Sequence, residues 1–226
     1  MTQLRERLRV FARTHVLKTV IAYAFDHRTR MLPFIFADLR MAPAGVRALG
    51  SALVDSGFEK TRIVLQQWNR NFSPAEMRLD GAIPDLFLVS SMQIHTTECK
   101  KLLRDVCRID PAHRPLVVAG GPKIIYEPWD VFPADPSETW TADVAVTGEE
   151  FVFLSFLEVV LSIRASNESL RSAFLRARKE RLLDGVPGLR RRLLVTHRRF
   201  AGLSRAWQRQ RGPSVRIIDD GTATPE

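Results

Sequence analysis

Four stretches place small, hydroxyl-bearing and charged residues directly behind short apolar runs. Asp38, Arg40 and Pro43 follow FIFA (34–37), and Ser90, Ser91, Met92, Gln93 and His95 follow LFLV (86–89). Gly120, Gly121, Pro122 and Lys123 follow LVVA (116–119), and Thr147, Gly148, Glu149 and Glu150 follow VAV (144–146). Hydroxyls and amides of this kind can orient a ligand, and a glycine pair lets a bulky ligand lie against the backbone. That chemistry suits a large flat ligand better than a tightly gripped phosphate. No GxGxxG follows an apolar run and no GxxxxGK[ST] occurs, which counts against NAD and nucleoside triphosphates. GxSxG is also absent, which disfavours an α/β-hydrolase. The five histidines (15, 27, 95, 113 and 197) form no HxxxH or HExxH pair. His95 alone follows an apolar run, and reads first as a packing or capping residue, second as a ligand contact. Glu149 and Glu150 sit at an expected helix start, where the dipole favours acids. No nucleophile–base or paired-carboxylate constellation stands out, so catalysis by this chain alone is not expected.

The elements that must position these residues follow from the hydrophobic pattern. Leu4, Leu8, Phe11, Leu17, Val20, Ile21 and Ala24 recur at helical spacing and predict an amphipathic helix over 3–25, its other face rich in arginine. Five apolar runs without alternation follow: 34–37, 62–65, 86–89, 116–119 and 144–146. Such runs are expected of parallel strands buried on both faces. Helical stretches separate them: Val46 to Val54 closed by Gly57, a short helix at Ser73-Pro74-Ala75-Glu76, Leu102 to Ile109, and a strongly apolar helix over about 150–163. These are the crossovers that parallel strands require. The expected fold is an open, doubly wound, Rossmann- or flavodoxin-like α/β domain with a five-stranded parallel sheet in the order 2-1-3-4-5. Ligands of such sheets bind at the carboxyl ends of the strands. The expected organisation is an N-terminal helical extension (1–30), the α/β domain (31–165), and a tail (166–226), helical and then basic and open to disorder.

Charge and cysteine usage narrow the function classes. The chain has 226 residues and a net charge of +9. Residues 166–226 hold 14 Lys and Arg against 6 Asp and Glu, so the body is nearly neutral and the tail basic. A nucleic-acid-binding domain would carry the excess on the domain itself, so the tail reads as a solvated extension and nucleic acid is not the expected partner. The alternative left open is that the tail binds nucleic acid or another anionic surface. The only cysteines, Cys99 and Cys107, form no CxxC pair. They read as thiols of a reduced, cytoplasmic compartment, and no iron–sulfur cluster is expected within the chain. No apolar run approaches membrane-spanning length, so no membrane span is expected.

Three segments, VSSMQIH (89–95), VVAGGPKIIYEPW (117–129) and ADVAVTGEE (142–150), each occur behind their own strand. In this order they resemble the cobalamin-binding domain at the N-terminus of many radical SAM enzymes. The likeness runs from Met31 to about Leu183. The resemblance implies cobalamin at the strand ends, presented to a radical SAM catalytic domain or partner. Three loops of the family hold the corrin: DxHxxG, SxL and GG. Ser90-Ser91-Met92 matches the second with methionine for leucine, and Gly120-Gly121 matches the third. Asp38-Leu39-Arg40 departs from the first, with arginine where the family's cobalt-ligating histidine would stand. Arginine stays protonated and cannot coordinate, so the implied cobalt takes no histidine from this loop. The resemblance assigns hydroxyl contacts to Ser90 and Ser91, close backbone approach to Gly120 and Gly121, and the lower face to Asp38 and Arg40. Thr147, Gly148 and Glu149 line the far edge, and Met92, Gln93 and Pro122 complete the implied site. The CxxxCxxC motif that holds a radical SAM cluster is absent. The chain therefore reads as a stand-alone or truncated module, or one part of a split protein, without radical chemistry of its own. A cofactor-free interaction scaffold, docking a partner through residues 3–25, is the remaining reading.

Overall fold

In the computed structural model the described residues are 2–29, 43–133, 138–186 and 214–216. Five strands form a parallel sheet in the order β2-β1-β3-β4-β5: β1 (Thr19–Tyr23), β2 (Thr61–Leu65), β3 (Leu86–Ser90), β4 (Leu116–Gly120) and β5 (Val144–Thr147). A short strand, β6 (Ser214–Arg216), pairs antiparallel with β5. The doubly wound fold and its strand order are those expected, but the first strand is not. Residues 3–25 do not form one helix. α1 covers Thr2–Thr14, and Thr19–Tyr23 is the strand between β2 and β3. All five of its residues are buried, as a strand between two neighbours with both faces covered requires. The helical spacing of Leu17, Val20, Ile21 and Ala24 is a coincidence within a contiguous apolar run. The FIFA segment, expected as the first strand, lies outside the described residues.

Strand side chains alternate between two cores. Ile21, Tyr23, Leu86, Leu88, Leu116, Val118, Val144 and Val146 face one layer. This layer holds α1, α2 (Ala44–Asp55), α5 (Glu150–Ile163) and α6 (Leu170–Lys179). Val20, Ala22, Phe87, Val89, Val117, Ala119 and Ala145 face the other, built on α3 (Thr96–Val106), α4 (Pro122–Tyr126) and the turns around them. Helix α5 lies at the centre of its layer against α1, α2 and α6, and buries Val152, Phe153, Leu154, Phe156, Leu157, Val160 and Leu161. Its bounds match the sequence reading.

Helix α1 is not a free amphipathic helix waiting for a partner. Leu4 and Leu8 are buried in the core. Its arginines turn back onto the domain: Arg7 pairs with Glu158 of α5, Arg5 reaches Asp55 of α2 at 3.3 Å, and Arg9 donates to the Asp55 carbonyl at 2.8 Å. Gly57, as expected behind α2, has a positive φ of 93°. It also lets α1 approach, since a Cβ there would sit 2.8 Å from the Ala12 methyl.

The amino edge of the sheet is fixed by two aspartates that precede strands. Asp85 accepts the Lys18 amide at 2.9 Å, and Arg164 stands 3.5 Å from its carboxylate. Asp143 accepts the Val117 amide at 2.9 Å and is held by Arg171 of α6 at 3.0 Å. Burial pushes the Asp143 carboxyl up, and the Arg171 guanidinium opposes that shift. Removing this carboxylate would leave a poorly solvated guanidinium and an unpaired strand amide. Asp143→Ala is expected to cost about 2–4 kcal/mol in urea unfolding, with the native fold retained by circular dichroism.

Candidate functional site at the carboxyl edge

Strands β3 and β4 end together, with Ser90 paired to Gly120. The chain then turns at Gly121, whose φ of 89° suits glycine. A Cβ at Gly121 would lie 2.5 Å from the Ser90 hydroxyl and 3.2 Å from the Ser91 amide nitrogen and carbonyl oxygen. The segments behind the two strands are therefore in direct contact. The Lys123 amide donates to the Ser91 carbonyl at 3.0 Å, and the Ala24 amide behind β1 donates to the Ser90 carbonyl at 2.9 Å.

Gly120 differs from its neighbour. Its φ is ordinary, and a Cβ there would have only the Val146 carbonyl, 3.8 Å away, within contact distance. This is open space at the end of a central strand. Around it the sequence-expected residues form a gradient of burial. Ser91 and Thr147 are buried; Ser90, Gly120, Gly121 and Gly148 are half-buried; Met92, Gln93, Pro122 and Glu149 are exposed. The Ser91 hydroxyl is fully buried and makes no hydrogen bond of ordinary geometry. Burial pushes the neighbouring Cys99 thiol up to about 11, with the Ser91 hydroxyl acting in the opposite direction. Such a thiol is inert at neutral pH. Asp38 and Arg40 lie outside the described residues.

The β1–β2 half of the same edge is filled by the protein itself. The Gln66 side chain accepts the Phe25 amide at 2.8 Å and donates to Glu98 at 3.2 Å. His95 accepts the Asp26 amide at Nδ1 (3.1 Å), and its ring lies 4.7 Å from that of Phe25. His27 lies 5.2 Å from the other side of that cluster, with Nε2 on the Gln66 carbonyl and Nδ1 buried. Hydrogen bonds from the Arg28 guanidinium and amide hold the Asp26 carboxyl at about 2. His95 is thus the packing residue of the first sequence reading. Asp26 and His27 were not anticipated, because the first strand was expected fifteen residues later; Gln66 and Glu98, behind correctly read strands, were not singled out. The signal was present in TVIAYAFDH (19–27), a β-branched run ending in polar residues.

Lys123 does not face this edge as a ligand-binding cation. It is buried and paired with Glu127 and, at 2.6 Å, with Asp130, which Lys100 also reaches at 2.8 Å. Burial pulls the Lys123 ammonium down, but the two carboxylates outweigh it and raise it overall. Two clefts lie elsewhere: one of about 390 Å³ between α1 and α5, and one of about 500 Å³ beside Trp140 on α3. Among the described residues no cluster of three or more His, Cys, Asp or Glu is placed to hold a metal ion. No described helix is long and apolar enough to cross a membrane.

Compared with family models, with curated proteins and with solved structures, the chain matches none.

The two glycines are expected to respond differently to one methyl group. Gly121→Ala places a side chain at positive φ against a neighbouring strand end, and should cost about 1–3 kcal/mol in urea unfolding. Gly120→Ala meets open space at an ordinary φ and should change stability by less than about 1 kcal/mol.

Proposed function

We propose that this chain is a cobalamin-binding module that presents the corrin, at the carboxyl edge of β3, β4 and β5, to a radical SAM catalytic partner. The observation that carries the reading is the pair Gly120 and Gly121. One glycine is demanded by the backbone and its neighbours, whereas at the other the fold would accept a Cβ without a clash. The likeness of VSSMQIH, VVAGGPKIIYEPW and ADVAVTGEE to the cobalamin-domain loops supports the same placement.

The residues present fit a large flat group with polar substituents. The backbone at Gly120 and Gly121 permits close approach, and the buried Ser91 hydroxyl, beside the Cys99 thiol, stands at the same edge. Ser90 and Thr147 stand at the ends of the flanking strands, and Met92 and Pro122 form an exposed apolar rim. Asp38 and Arg40 belong to the proposed lower face on sequence grounds. Cobalamin, when bound, supplies a cobalt centre for group transfer. The part of this chain is to bind, orient and shield. The cluster chemistry falls to the partner, since the chain has no CxxxCxxC motif. Met92 (43% exposed) and Ile94 (59%) behind β3, with Ile125 and Tyr126 behind β4, give this end of the domain an apolar exposure suited to a protein partner.

Titration of the purified protein with hydroxocobalamin tests the reading. A saturable change in the corrin spectrum is expected, unlike that of a histidine-ligated form. Gly120→Val should abolish it while unfolding at a urea concentration close to that of the parent. No binding up to high micromolar cobalamin would overturn the reading and leave a cofactor-free scaffold in its place.

A further inference from the structure

The loop that leaves β1 is held to the sheet edge by one imidazole. His95 is 2% exposed and lies between the end of β3 and the start of α3. Its Nδ1 accepts the Asp26 amide hydrogen at 3.1 Å, which requires a bare Nδ1 and places the ring proton on Nε2. Phe25 packs on the ring at 4.7 Å and Tyr23 meets it edge-on at 6.0 Å. The same loop has a second tether at Gln66, which accepts the Phe25 amide and is itself bonded to Glu98 on α3. Three strand ends and one helix therefore converge on the segment 24–28.

We propose that His95 is a proton-operated latch: neutral, it holds the Asp26 amide and the loop behind β1 against β3; protonated, it releases them. An imidazolium carries hydrogen on both nitrogens, so Nδ1–H would face the Asp26 N–H, donor against donor. The hydrogen bond cannot survive without movement of the loop.

The charged groups facing the ring are Asp26 and Glu98, which favour its protonation, and His27, which opposes it. Arg28 and Lys101 occupy those two carboxylates, at 2.7 Å from Asp26 and 2.6 Å from Glu98, and weaken their pull. Burial is the larger effect and lowers His95 below the ordinary imidazole value of 6.5. A group depressed in the folded state contributes stability that is present above its unfolded value and lost as pH falls. The latch is therefore closed at neutral pH and opens only as pH falls below the ordinary imidazole value. Its consequence for ligand affinity rests on the proposed function, because residues 24–28 border the segment behind β3. The latch itself does not rest on it.

The test uses the ligand-free full chain, so its failure is separable from failure of the cobalamin reading. Nuclear magnetic resonance titration from neutral to mildly acidic pH should show the His95 ring titrating below the ordinary imidazole range. The Asp26 amide shift should follow with the same midpoint. His95→Gln, whose side-chain oxygen can accept the same amide without titrating, should leave Asp26 without that step, while His27→Gln should retain it. An Asp26 amide that does not move while His95 titrates, or a step that survives in His95→Gln, would overturn the proposal. The parent titration alone decides the matter if His95→Gln does not fold.

Discussion

The contact of Gly121 with Ser90 and Ser91 joins the ends of the two central strands. The approach is close enough that a side chain at Gly121 would force Ser90 to shift, and it brings the Lys123 amide onto the Ser91 carbonyl. With the Ala24 amide on the Ser90 carbonyl, three adjacent strand ends share one anchoring point. Everything placed at this edge depends on that tie. It turns the chain into α4, buries Ser91, and leaves Gly120 uncrowded beside it. The amino edge is fixed by different means, through Asp85 and Asp143 each paired with an arginine from the helical layer. One end of the sheet is therefore closed by charge pairing and the other by backbone proximity.

The carboxyl edge is itself divided. Phe25, His27, Gln66, His95 and Glu98 pack and hydrogen-bond with one another behind β1, β2 and β3, at the switch in strand order, with the His27 Nδ1 buried among them. Over β3, β4 and β5 the edge carries the Ser91 hydroxyl, beside the Cys99 thiol, and the half-buried Gly120, where a Cβ would meet only the Val146 carbonyl. A ligand on the first half would have to displace a packed network, whereas on the second half it would meet half-buried or exposed residues at the strand ends. This difference supports placing the corrin over β3, β4 and β5. The binding energy available there is that of close apolar contact and a few hydrogen bonds, without a fixed countercharge.

Strands β2 to β5 were legible in the sequence because each carries a contiguous apolar run that breaks abruptly, into glutamine behind β2 and into serine, glycine or threonine behind β3, β4 and β5. Helix α5 was legible because its apolar run is long and begins at two glutamates. β1 was not, because Val20, Ile21 and Ala24 continue the helical phase of Leu4, Leu8 and Phe11 closely enough to hide the break at residues 15–18. That single error moved the expected first loop to Asp38 and concealed Asp26 and His27. The glycine pair was legible as a close approach, but which glycine is structural was not, since that depends on φ and on the neighbouring strand. Lys123 looked like a ligand group by position. Only the carboxylates of Glu127 and Asp130 reveal it as an internal ion pair.

Amide hydrogen exchange with and without hydroxocobalamin tests the placement of the ligand most directly. Added protection is expected in 90–93, 120–123 and 147–149, with no change at Lys18, Asp85 or Asp143 on the opposite edge. Protection confined to the α1–α5 cleft or to the cleft beside Trp140, or a pattern unchanged by saturating ligand, would contradict a site at the carboxyl ends of β3, β4 and β5.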